Sequence, residues 1–171
     1  VDGRLKAQIH NVEHHRAHMA SAFFVSPYEE AAILSVDGMG DFVSTMWGTG
    51  RGNQIEVLGT VNFPHSLGYF YTAIAQWLGF PKYGDEGKVM GLTGYGRPAV
   101  MDVMRDIVRI RPDGSFELNQ DYFVYESDGL SMTWDDGAPV IGQTYSEKLV
   151  EALGPARAKG EPLSDHHHDV A

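Results

Sequence analysis

The stretch from Glu30 to Leu78 constrains the fold most, because its apolar residues change period partway along. Glu30 to Val36 (EAAILSV) has the length and composition of a buried strand, and it delivers Asp37 into the glycine turn Gly38-Met39-Gly40-Asp41. Phe42 to Trp47 and Ile55 to Phe63 read as two more strands, with Gly48 to Asn53 as the turn between them. Three successive strands joined by turns predict an antiparallel meander. Ser66 to Leu78 then sets Leu67, Phe70, Tyr71, Ile74 and Leu78 on one helical face, with Ser66 as N-cap and Gly79 past the end. The resulting class is α/β.

Around this segment the pattern is plainer. Arg4 to Asn11 alternates as a strand does, and Glu13 to Phe24 reads as a helix that Pro27 stops near Val25. Phe80 to Pro98 holds five glycines and reads as a site loop with one helical turn over Lys88 to Leu92. Pro98 opens a second helix through Met101, Met104, Ile107 and Val108, closed by Arg109 and Arg111 before Pro112-Asp113-Gly114. Ser115 to Tyr125 predicts a strand, and after residue 110 the chain carries an irregular insertion, most evident over Glu126 to Gly142. Thr144 to Leu153 predicts a short amphipathic helix ended by Gly154-Pro155. Trp47, Trp77 and Trp134 read as packing residues, and His166-His167-His168 as a solvated helix entry.

Composition narrows the chemistry. With 13 Lys plus Arg against 23 Asp plus Glu, the net charge of −10 argues against nucleic acid and anionic membranes as partners. The 171 residues contain no cysteine, so a disulfide framework, a thiolate zinc site and a cysteine nucleophile are all excluded. Any metal site must use His and carboxylates. No run approaches the roughly 20 apolar residues of a membrane-spanning helix, and a cytoplasmic location is expected.

Three constellations could carry chemistry. On a helix, His14 and His18 stand one turn apart on one face, and Asp37 at a strand end supplies a carboxylate. Two imidazoles and a carboxylate suit iron(II), manganese or zinc with positions left open for phosphate or water. The plainer reading makes the histidines a surface or core coincidence and Asp37 a turn residue or helix cap. Second, Gly38, Gly40 and Asp41 form a glycine turn whose N–H groups can cradle an anion, although an Asp-Gly hairpin turn explains it as well. Its place after the buried strand, opening a meander that leads into a helix, matches the nucleotide-gripping half of actin-like ATPase folds. Third, Gly84 to Gly96 surrounds Lys88 with glycines, Gly91 among them, as a phosphate or adenylate site requires. A plain connecting loop is the alternative, and Lys82 and Arg97 are further anion candidates. His65 reads as structural or acceptor-side.

Taken together, VEHHRAHMASAFFVSPYEEAAILSVDGMGD, FPHSLGYFYTAIAQWLGF, EGKVMGLTGYGRP and RPDGSFELNQDYF resemble the NodU/CmcH carbamoyltransferase family, in order and over nearly the whole chain. The resemblance implies a partial actin-like ATPase (ribonuclease H-like) fold, with residues 1–27 ending a first subdomain and 28–171 starting a second. It implies that carbamoyl phosphate and ATP give carbamoyl adenylate in a separate adenylate-forming domain of the same polypeptide. The ATPase-like domain then passes the carbamoyl group to a hydroxyl of a small-molecule acceptor, a sugar or an antibiotic, in nodulation or secondary metabolism. His14, His18 and Asp37 fall on the family's metal ligands. A further metal-binding Asp lies beyond Ala171 in the family, so the chain reads as an interior segment whose isolated activity is expected to be nil. His15 and Asp41 are the candidates for a general base. A sugar-kinase-type phosphotransferase and a metallohydrolase remain as rivals on the same fold; the histidine pair disfavours the first, and a lack of adenylate or AMP formation by the intact protein marks the second.

Overall fold

A computed structural model describes residues 7–171, apart from the side chain of Asp128. Of the strand expected over Arg4 to Asn11, the first three residues lie outside the described part, and Ala7 to Asn11 are exposed and form no strand. The first helix, α1 (His14–Phe23), begins where the Glu13 carboxylate accepts from the amides of His15 and Arg16 at 3.0 and 2.8 Å. That side chain satisfies two of the donors a helix start leaves unpaired.

The meander follows as β1 (Glu30–Gly40), β2 (Val43–Arg51) and β3 (Gln54–Asn62), an antiparallel sheet of order β1-β2-β3. Ile33 and Ser35 point from β1 toward α1, and Met19, Phe23, Ile33 and Met46 close a small core between helix and sheet. The expected turn over Gly48 to Asn53 is tighter than the glycines suggest. Gly48 and Gly50 lie inside β2, where a Cβ would stand 2.0 Å from the Glu56 carbonyl oxygen and 2.6 Å from the Phe23 ring. These glycines permit close packing, and the hairpin itself turns at Gly52, whose φ is +57°.

β1 also runs further than the apolar pattern predicts. Its pairing with β2 shifts between Val36 and Gly40, so Asp37-Gly38-Met39 leave the ladder as a bulge. Next comes α2 (Leu67–Trp77), capped by the buried Ser66 hydroxyl, which accepts from the Tyr69 amide at 3.1 Å. Ala73, Ile74, Trp77 and Leu78 of this segment begin the larger core.

The rest of the chain wraps that core. It comprises α3 (Glu86–Leu92), α4 (Met101–Ile107), the hairpin β4 (Val108–Ile110) with β5 (Phe116–Leu118), α5 (Tyr125–Asp128), the hairpin β6 (Met132–Asp135) with β7 (Ala138–Ile141), α6 (Glu147–Leu153) and α7 (Asp165–Val170). Several expectations need correction. The second helix ends at Ile107, because Val108 to Ile110 pair with Phe116 to Leu118, and the strand expected to Tyr125 gives way to a 3-10 turn at Gln120–Tyr122. The segment expected to be irregular contains the β6–β7 hairpin. Trp77 is fully buried, whereas Trp134 in β6 is 73% exposed and packs no core. The histidine run is not uniformly solvated: His167 is buried, completes a capping box with Ser164, and packs with His166 against Trp77. Among the described residues no helix is long and apolar enough to cross a membrane.

Candidate metal centre

Helical spacing places His14 and His18 on one face of α1, and the bulge of β1 turns Asp37 toward them. The His14 Nε2 lies 2.8 Å from Asp37 Oδ2, the His18 Nε2 3.4 Å from the same oxygen, and the two Nε2 atoms are 3.0 Å apart. Three donor atoms on two elements therefore converge on one spot, all within 4.8 Å. Adjacent donors around an ion bound at roughly 2.0 to 2.2 Å stand about 3 Å apart, so the spacings found here fit one divalent cation. The donor set suits it too, since neutral imidazole and carboxylate are ordinary ligands of zinc, iron and manganese.

Partial burial pushes the Asp37 carboxyl upward. The hydrogen bond from His14, the Gly38 amide and the charges of His14 and His18 together outweigh burial and hold the group below the ordinary carboxylate range. The Gly38 amide donates to Asp37 Oδ1 at 2.7 Å, leaving Oδ2 for the histidines. A cavity of about 510 Å³ opens beside the cluster, lined by Val12, His14, Ala17, His18, Ser21 and Asp41.

The other sequence candidates take different places. His15 is completely buried, with Nε2 2.8 Å from the Val43 carbonyl oxygen and Nδ1 2.8 Å from Ser35 Oγ. A carbonyl only accepts, so Nε2 donates to Val43, and Nδ1 pairs with the Ser35 hydroxyl. This ring braces β1 to β2 and has no free nitrogen for proton transfer. Asp41 sits in the turn before β2 at φ +51°, and its carboxylate accepts from the His14 amide at 2.9 Å, adding a second cap to α1.

The glycine turn is closely packed. Gly38 gives its amide to Asp37 and is covered by Tyr69, while a Cβ on Gly40 would fall 2.1 Å from the His14 ring. Both glycines serve packing around the cluster. Lys88 lies on α3, where its ammonium meets the Asp85 carboxylate at 2.5 Å and stands 5.6 Å from the centre of the Phe80 ring. Gly91 lies on the same helix and is exposed. The His65 Nδ1 accepts from the Leu118 amide at 3.1 Å, a structural role.

Sequence reading missed Ser66 and Gly68 as parts of this centre. The Ser66 hydroxyl donates to the Gly38 carbonyl at 2.6 Å, and Gly68 packs its backbone on Asp37 and Gly38. The signal was present in the Ser-Leu-Gly start of a helix that follows the meander, but only the bulge shows what it holds.

Comparison with known proteins adds a separate line of support. The family model described as carbamoyltransferase N-terminus matches residues 2–145. An uncharacterised protein of Synechocystis is 39% identical over 161 residues, covering 93% of this chain and 24% of the relative. Nodulation protein NolNO of Sinorhizobium fredii is 33% identical over 96% of this chain and 21% of its own length. Nodulation protein NolO of Bradyrhizobium diazoefficiens is 33% identical over 94% of this chain and 25% of its own length. The chain thus spans a quarter or less of each of these relatives.

Proposed function

Because the chain belongs to the carbamoyltransferase family, through the N-terminal region of that family, we propose that it forms part of the site where a carbamoyl group passes from carbamoyl adenylate to an acceptor hydroxyl. In this reading carbamoyl phosphate and ATP supply the adenylate in another domain of the same polypeptide. The acceptor is a hydroxylated small molecule such as a sugar or an antibiotic, and the reaction runs in the cytoplasm. The meander and the helix after it belong to an actin-like ATPase fold, with residues 1–27 closing one subdomain and 28–171 opening the next.

His14, His18 and Asp37 would hold a divalent cation, iron(II) first among the candidates and manganese or zinc after it. Such an ion supplies charge neutralisation at the phosphate that leaves as AMP. In the transfer, a bond forms between the acceptor oxygen and the carbamoyl carbon, the bond from that carbon to the phosphate oxygen breaks, and the hydroxyl proton departs to a base. Asp41 is the better placed of the two candidate bases. It lines the cavity beside the cluster, whereas both nitrogens of His15 are engaged.

The observation that carries the reading is the convergence of three donor atoms from α1 and the β1 bulge within 4.8 Å. Its test uses the full-length protein with carbamoyl phosphate, ATP and a panel of hydroxylated acceptors, following AMP release and metal content together. Replacing His14 and His18 by Ala is expected to remove the bound metal and to cut carbamoyl transfer at least ~100-fold. Undiminished metal content in that variant would overturn the assignment of the cluster.

A further inference from the structure

The bulge at Asp37-Gly38-Met39 raises a question of support, since residues outside the ladder lack the strand partners that fix their neighbours. A metal-binding carboxylate works only if its backbone is held, and groups behind the ligands commonly set affinity. Besides the histidines of α1, the start of α2 meets the bulge from outside the sheet. Ser66, with none of its surface exposed, donates its single hydroxyl proton to the Gly38 carbonyl at 2.6 Å, stands 3.3 Å from the Asp37 carbonyl oxygen, and accepts from the Tyr69 amide.

Gly68 lets the backbones approach: a Cβ there would lie 2.7 Å from the Gly38 nitrogen and 2.8 Å from the Asp37 carbonyl oxygen. The Tyr69 ring closes over Gly38, at 3.3 Å from where its Cβ would be. We propose that Ser66 is a positioning residue for the metal carboxylate, locking the start of α2 to the bulge so that Asp37 meets His14 and His18 in one fixed geometry. Removing the hydroxyl would take from the part-buried Gly38 carbonyl and Tyr69 amide the partner they share. Asp37 would then swing with a freed loop.

This inference rests on the reading of His14, His18 and Asp37 as a cation site, and the experiment separates the two. Cobalt(II) is titrated into the full chain, and both affinity and the visible absorption of the bound ion are recorded. Ser66→Ala is expected to weaken cobalt binding by about 10- to 100-fold and to alter the spectrum. The control is Ser164→Ala, which removes a helix cap whose side-chain bonds stay within the start of α7, and it is expected to bind as the wild type does. If Ser66→Ala is recovered unfolded, Gly68→Ala tests the same contact from the helix backbone with the same expectation. Unchanged affinity and spectrum in the folded variant, or equal weakening in the control, would overturn the role of Ser66 alone. A wild type that takes up no cobalt would overturn the cluster itself and this inference with it.

Discussion

Gly40 and His14 share a contact that leaves no room for a side chain, the added methyl falling 2.1 Å from the imidazole Cγ. The contact involves the His14 ring itself and the end of a strand, so neither is free to yield without moving a donor atom. Gly40→Ala is therefore expected to displace His14 and weaken cation binding about tenfold or more, read by cobalt titration. Gly87→Ala makes a matched control, because nothing lies within 4 Å of its Cβ position, and a helical Gly-to-Ala change of this kind stabilises by about 0.4 to 1 kcal/mol. The residue scale also shows what a sequence conveys about a site. His14 and His18 were legible because helical spacing alone brings them together. Asp37 was legible as a carboxylate at a strand end, but the bulge that aims it was not, since it arises from a register shift against β2. The roles of His15 and Lys88 were equally hidden. His15 is engaged by partners 20 and 28 residues away, and Lys88 by the Asp85 carboxylate on the preceding turn.

At the scale of elements, single side chains join pieces that periodicity describes separately. Gln76 on α2 donates to the carbonyls of Ile141 and Gly142 and accepts from the amide and hydroxyl of Thr144, which is fully buried. All the bonding capacity of one amide thus holds the end of the β6–β7 hairpin onto the main core. Gln76→Leu keeps the volume and removes these bonds, and chemical denaturation is expected to show a loss of about 2 to 4 kcal/mol. Asp106 does similar work at the end of α4. It accepts from Arg109, Tyr122 and Asn119 at 2.8, 2.8 and 3.3 Å, and the Arg109 bond foremost, then that from Tyr122, holds its carboxyl below the usual range. A carboxyl lowered on folding adds stability above its unfolded pKa and loses it as the pH falls through the folded value. Asp106→Asn is accordingly expected to flatten the fall in stability below about pH 4, measured as denaturation midpoints across that range. The meander and α2 could be read from hydrophobic period alone. The β4–β5 and β6–β7 hairpins could not, because their strands are three or four residues long and carry too few positions to show alternation.

At the scale of the whole molecule, the described residues form two hydrophobic cores rather than one. Met19, Phe23, Ile33 and Met46 form the smaller between α1 and the meander, and the larger gathers α2 with the elements after it. Truncations in separate cores without shared partners add nearly independently. Met46→Ala and Leu149→Ala are each expected to cost about 2 to 5 kcal/mol, and the double variant to equal their sum within about 0.5 kcal/mol. A larger deviation in equilibrium unfolding would show the cores to be coupled. The same layout bears on how the donor cluster comes into being. His14 and Asp37 are 23 residues apart, His15 reaches Val43 across 28, and the Ser66 hydroxyl reaches Gly38 across another 28. Closing a loop of that size takes only slightly more entropy than closing one half as long, about 0.6 kcal/mol. Contacts this local form early, so the cation-binding corner can assemble once the start of α2 has been synthesised, before most of the larger core is made.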